Sequence, residues 1–140
     1  MIDIHEYMMG RDVTHALECS PQILRNAALT VDLANRLLVL AKGAGVPIAS
    51  RPGGTIVNSG WRPPSLNATT PGASATSLHM SGEAVDLHDP DGVVDAWCVV
   101  SAETVLKTLG LWLEHPDNTP GWCHLQTRPP KSGNRVFRAR

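Results

Sequence analysis

One segment constrains the fold more than any other: a long amphipathic stretch that opens at Ser20-Pro21 and closes before Gly43 and Gly45. Ser20 suits an N-cap, because its hydroxyl can accept from a first-turn N–H, and Pro21 suits the first helical position, where no N–H is needed. Leu24, Ala27, Ala28, Val31, Ala34, Leu37, Leu38 and Ala41 recur at helical spacing. That spacing predicts a helix over residues 21–42 with one buried stripe. Asn26, Asp32, Asn35 and Arg36 are expected to face water. The two glycines then end the helix. We read it as scaffold, with no chemistry of its own.

After this helix the punctuation changes. Residues 48–50 and 55–59 read as short strands, split by Pro52-Gly53-Gly54. From Gly60 to Thr76 the chain is rich in Pro, Asn, Ser, Thr and Gly without any period, which predicts a long loop. Residues 83–88 read as a strand with Ala84, Asp86 and His88 on one face and Glu83, Val85 and Leu87 on the other. A helical region over 93–109, broken near Ser101 and stopped at Gly110, precedes strands at 111–114 and 122–126 joined by a turn-rich 115–121. The expected architecture is α+β: helices packed on a small, mostly antiparallel sheet, forming one domain over 1–140. With 140 residues, 42% of them apolar, the chain can bury a single core.

Charge and cysteine content exclude several classes. Twelve Lys and Arg nearly balance thirteen Asp and Glu, so the basic excess of a nucleic-acid binder is missing. The local exception is the C-terminal set Arg128, Lys131, Arg135, Arg138 and Arg140, read either as a solvated tail or as an attraction to an anionic polymer. Cys19, Cys98 and Cys123 form no CxxC pair and leave an odd thiol, which favours a reducing environment over a disulfide framework. The opening MIDIHEYMMGRD has no apolar core of a secretory signal, and the longest apolar run is far too short to span a bilayer. The expectation is a monomer that is cytoplasmic as synthesised, without membrane or nucleic-acid partners.

Chemistry concentrates in Ser77-Leu78-His79-Met80-Ser81-Gly82-Glu83-Ala84-Val85-Asp86. A histidine enters from a loop, a glycine permits a tight turn, and a carboxylate follows on a strand. Trp122-Cys123-His124-Leu125-Gln126 offers a second histidine. Two imidazoles and a carboxylate can hold a catalytic zinc and leave a position open for water or substrate. Such an ion polarises a carbonyl and makes a nucleophile available near neutral pH. Spacing alone is equally met by a turn histidine, a capping aspartate and a core histidine bonded to a backbone carbonyl.

The order SxHxxGxAxD over Ser77 to Asp86 resembles the zinc signature of the D-Ala-D-Ala carboxypeptidase and dipeptidase superfamily, which includes phage L-alanyl-D-glutamate endolysins. Ser59-Gly60-Trp61-Arg62-Pro63-Pro64-Ser65-Leu66-Asn67 is similar to its SG(Y/W)RxxxxN segment, and Trp122 to Leu125 to its WxHL strand. The resemblance implies that family's hedgehog-like fold and zinc ligated by His79, Asp86 and His124. It also implies hydrolysis of amide bonds in peptidoglycan peptides containing D-amino acids. Arg62 then holds a substrate carboxylate or an oxyanion, as a planar, permanently charged fork does well. Ser77 either faces substrate or bonds its own backbone as a turn hydroxyl. Asn67 and Gly82 are read as structural. The resemblance further suggests a phage or prophage protein, virion-associated or released to the wall.

The sequence departs from the family at Gly121, where better-known members carry a glutamate as general base. The substitutes nearby are Glu114, His115 and Asp117, of which Glu114 is preferred because a strand-end carboxylate can be set against the metal. The alternative is an inactive module that keeps zinc for stability and binds wall or serves in a virion. Cys123 is expected to point away from His124 into the core, His88 to sit at a turn, and Trp61 to belong to the core or line the cleft.

Overall fold

The computed structural model describes residues 1–139, so Arg140 lies outside the described residues. The long helix, α3, spans Pro21–Gly43, and the Ser20 hydroxyl caps it by accepting from Ile23 N at 3.2 Å. Its buried side is Ala27, Thr30, Ala34, Leu37, Leu38 and Ala41. Two expected stripe members, Leu24 and Ala28, are exposed instead. Thr30 takes the core-facing place because its hydroxyl donates to the Gly82 carbonyl at 2.7 Å, which removes the cost of burying it. Asp32 and Arg36 do face water, as an ion pair at 3.1 Å. Asn26 and Asn35 do not. Asn26 donates to the Ser81 carbonyl, and Asn35 both accepts from and donates to the Ile2 backbone.

Ahead of α3, two short helices that the apolar pattern does not announce, α1 (Ile4–Met8) and α2 (Arg11–Thr14), fold the N-terminal segment back on the domain. Asp3 caps α1 through Glu6 N, and Tyr7 and Met8 are fully buried. After α3 come β1 (Val57–Ser59), α4 (Pro64–Asn67), β2 (Ala84–His88) and α5 (Val93–Val100). The expected break at Ser101 is present: a wider-wound turn over Ala102–Leu106 leads into α6 (Lys107–Leu109), then β3 (Trp112–Glu114), β4 (Trp122–Gln126) and β5 (Val136–Phe137). Asp89 caps α5, accepting from the backbone N–H groups of Val94 and Asp95.

The five strands form one sheet in the order β1-β2-β4-β3-β5. β1–β2, β2–β4 and β3–β4 are antiparallel, while β3–β5 is parallel, so the domain is α+β with a mixed sheet instead of the mostly antiparallel one expected. The parallel strand is only two residues long, too short to carry any alternation in sequence. Residues 48–50 form no strand. The strand expected over 55–59 shrinks to Val57–Ser59, and the Glu6 carboxylate takes the N–H groups of Ile56 and Val57 at its start. One core joins Ala34, Leu37 and Leu38 of α3 to Val85 and Leu87, Leu113, Cys123 and Leu125, and to Val94 and Cys98 of α5. Strand alternation therefore sends Asp86, Glu114 and His124 to the opposite face. No described helix is long and apolar enough to cross a membrane.

Candidate metal centre

The long loop is fastened at both ends before any functional side chain is placed. Trp61 is fully buried, and its Nε1 donates to the Met80 carbonyl at 2.9 Å, so it is a core pillar and does not line a cleft. Arg62 N donates to the His79 carbonyl at 3.0 Å, and Trp61 N to the Tyr7 carbonyl at 3.2 Å. This second contact explains Gly60: a Cβ there would lie 1.9 Å from the Tyr7 carbonyl oxygen, an impossible approach. Gly82 turns with φ of 77° against α3, where a Cβ would stand 3.0 Å from the Ile23 carbonyl. Both glycines are therefore demanded by backbone contact, and together they aim the intervening His79 inward.

His79, Asp86 and His124 converge, with one potential ligand atom from each within 4.8 Å of the others. Asp86 and His124 are cross-strand partners on β2 and β4, which puts their side chains on one face. Asp86 Oδ2 lies 3.2 Å from His79 Nε2, and Asp86 Oδ1 lies 2.8 Å from His124 Nδ1. Each ring is held from behind. His79 Nδ1 is 2.9 Å from the Gly60 carbonyl, which can only accept, so this nitrogen carries a proton. His124 Nε2 is 3.0 Å from Gln126 Oε1, and the Gln126 amide is oriented by donating to the Arg128 carbonyl at 2.9 Å.

With protons committed to those outer nitrogens, neutral rings present two lone pairs to a carboxylate. Three acceptors aimed at one point require protons or a cation between them. Burial alone would raise the Asp86 carboxyl, but the charge of His79 and the hydrogen bonds and charge of the two imidazoles hold it far below the usual carboxylate range. Burial opposes the charged form of His124, yet Asp86, helped by Gln126 and Glu114, raises its pKa. With both rings neutral the cluster is a negatively charged oxygen-and-nitrogen donor set whose partners fix the ring tautomers, and in that form it can hold a metal ion.

The other expected residues separate into two groups. Arg62 sits beside His79: its Nε donates to Asn67 Oδ1 at 3.0 Å and its Nη2 to Ser77 Oγ at 3.3 Å, while Ser77 Oγ also accepts from His79 N at 3.2 Å. Ser77 is thereby both a turn hydroxyl and a neighbour of Arg62. Asn67, bonded to Ser74 as well, staples the loop. Glu114 also reaches the site. β3 pairs with β4 through Trp112–Gln126 and Leu113–Leu125, and the next step in that register sets Glu114 across from His124. On its other side Glu114 pairs with Phe137 of β5, whose ring meets the His124 ring edge-on at 6.4 Å. Burial raises the Glu114 carboxyl above its ordinary value, with His124 and His79 working against the rise and Asp86 with it.

His115 and Asp117 are not in this group. Asp117 is exposed and bonds Arg138 at 3.0 Å, and His115 accepts from Asp117 N and contacts the same arginine at 3.2 Å. Gly121 has a φ of 96°, a conformation that an L-glutamate would adopt only with strain, so the backbone at this position is not built for the family's base. Cys123 is buried on the far face of β4, as strand alternation predicts. The C-terminal cations are mostly engaged on the domain, with Arg128 near Glu83 at 3.6 Å and Arg135 stacked 4.2 Å over Trp112.

Three contributors were missed by sequence reasoning. The Gly60 carbonyl is backbone and leaves no trace in residue type. Gln126 was in view, two positions after His124 on the same strand face, and that spacing was the available signal. Phe137 had none, because its strand is too short to read. Compared with known protein families, with curated proteins and with solved structures, the chain finds no match in any of the three.

Proposed function

We propose that the chain is a zinc-dependent peptidase acting on peptidoglycan stem or cross-bridge peptides that contain D-amino acids. The single observation behind this reading is the convergence of His79, Asp86 and His124, residues from a loop and two strands that the sequence signature singled out. Two nitrogens and one carboxylate suit zinc better than magnesium or calcium, which prefer all-oxygen sets. When bound there, the ion supplies Lewis acidity toward a carbonyl and activates water. Arg62, with N–H donors left over after Asn67 and Ser77, holds the substrate. Glu114, half-buried opposite His124, accepts the proton from the attacking water and returns it to the leaving amine.

One observation favours a second reading, a zinc-stabilised wall-binding or virion module without activity: Gly121 stands where the family carries its base. The test is elemental analysis of purified protein beside His79→Ala, joined to release of free amines from cell walls. The peptidase reading predicts about one zinc per chain, lost in the variant together with amine release. Zinc without amine release from any wall type hands the case to the module. No zinc after reconstitution sinks both.

A further inference from the structure

Four arginines among the described residues are paired with a carboxylate or stacked on a ring. Arg36, Arg128 and Arg138 face carboxylates, and Arg135 covers an indole. Two others converge on one short piece of backbone beside the metal centre. Arg11, in the first position of α2, donates from Nη1 to the Trp61 carbonyl at 2.8 Å. Arg62 is the next residue, and its Nε and Nη2 are bonded to Asn67 and Ser77. Among the described residues neither guanidinium forms an ion pair with a carboxylate.

That arrangement is costly as it stands. Both side chains are half-buried. Burial, and then the charge of Arg62, lower the Arg11 pKa from its ordinary value. Glu18 accepts from Ser65 N and Oγ and Glu6 from Ile56 and Val57, and neither pairs with these arginines. Each guanidinium has five N–H donors, and Arg11 directs one and Arg62 two to protein acceptors. The remaining donors and two uncompensated charges are suited to a ligand with a planar anionic group. Arg62 N donates to the His79 carbonyl and Arg11 to the carbonyl of the same Trp61–Arg62 peptide unit, so a group held by both side chains would lie at the rim of the candidate metal site.

We propose that Arg11 joins Arg62 in a two-arginine grip for a free carboxylate of the substrate peptide, making that carboxylate a condition of good binding. This rests on the peptidase reading and adds to it a specificity-determining residue from the N-terminal segment, outside every motif. A terminal carboxylate and a D-glutamate side chain share the required chemistry, and the probes separate them.

The experiment is calorimetric titration of the zinc-loaded full chain with three probes: N-acetyl-D-Ala-D-Ala as free acid, its C-terminal amide, and N-acetyl-L-Ala-D-glutamic acid α-amide. Wild type should bind one carboxylate-bearing probe at least about tenfold more tightly than the uncharged amide, as expected for charged hydrogen bonds. Arg11→Gln should remove about tenfold from that probe and nothing from the amide, and Arg11→Lys should restore part of it. Equal binding of all three probes by wild type, needing no variant, overturns the grip. So does an equal loss on acid and amide in Arg11→Gln, which would mean that Arg11 only props the Trp61 carbonyl. Carboxylate preference in a protein that cuts nothing sinks the peptidase and keeps the grip. Cleavage of acid and amide at equal rates does the reverse.

Discussion

The two faces of strand β4 do different work one residue apart. His124 and Gln126 look toward the candidate metal centre, in a row that runs from Asp86 on β2 through His124 to Glu114 on β3 and Phe137 on β5. Cys123 and Leu125 look the other way and have no solvent exposure at all. Around them lie Val85, Leu87, Leu113 and Cys98, with the buried Asp95 nearby. The first face holds polar groups against one another by hydrogen bonds, while the second holds apolar groups together by exclusion of water. A strand with period two can serve both because neither set needs the other's side. The lesson is a separation of consequences: substitutions on one face should disturb chemistry, those on the other stability.

The largest test of that separation is Glu114→Gln. On the peptidase reading, loss of the proposed base should reduce peptide hydrolysis about 10²- to 10⁴-fold, with metal content and unfolding midpoint unchanged. Asp117→Asn, on the exposed turn, should leave the rate as it was. If Asp117→Asn is the damaging change, the site has been assembled from the wrong carboxylate. Next comes Leu125→Ala on the core face, expected to cost about 2–5 kcal/mol in urea unfolding. Zinc stoichiometry should survive it, and a loss of zinc in the still-folded variant would break the comparison. Gln126→Ala returns to the polar face. By releasing His124 Nε2 it should weaken metal binding about 10- to 100-fold in a chelator competition, with little change in the melting temperature.

The smallest effect concerns Asp95. Burial pushes its carboxyl up to about 6, against hydrogen bonds from Cys123 and Thr119, and its Oδ1 has no hydrogen-bond partner. A carboxyl whose folded pKa lies above its unfolded value contributes stability that is fully present below about pH 4 and lost as pH rises through about 6. Asp95→Asn should therefore gain in melting temperature relative to wild type as pH rises from about 4 to about 6, and keep that gain above it. A constant difference across that range would contradict the assignment, while unchanged zinc affinity would sharpen the contrast between faces.

What could be read from sequence follows from how local each signal is. The α3 boundaries were legible because Ser20, Pro21 and the two glycines act within one turn of themselves. The convergence of His79, Asp86 and His124 was legible because the three residues sit in short stretches dense in chemistry-bearing side chains, and β4 was legible because its flanking turn is rich in Pro and Gly. The rotation of α3 was missed, since Thr30 owes its buried place to a carbonyl 52 positions away. Residues 48–50 have the composition of a strand but find no partner for their backbone. Arg11 was invisible for a different reason: no spacing relates it to Arg62, and their meeting depends on α2 docking against Trp61.

The three residues that could hold a metal are also distributed in time. His124 follows Asp86 by 38 positions. On a ribosome adding about 5–20 residues per second, that separation is a delay of roughly 2–8 s. Throughout it, His79 and Asp86 would form a half-site with two ligands, and β2 would lack its central neighbour. A free metal ion meeting the nascent chain would find too few donors to be held firmly, and the bare edge of β2 would be open to pairing with another chain. Arrival of β4 would close both vulnerabilities in one step, so completion of the candidate site and protection of the sheet depend on the same strand.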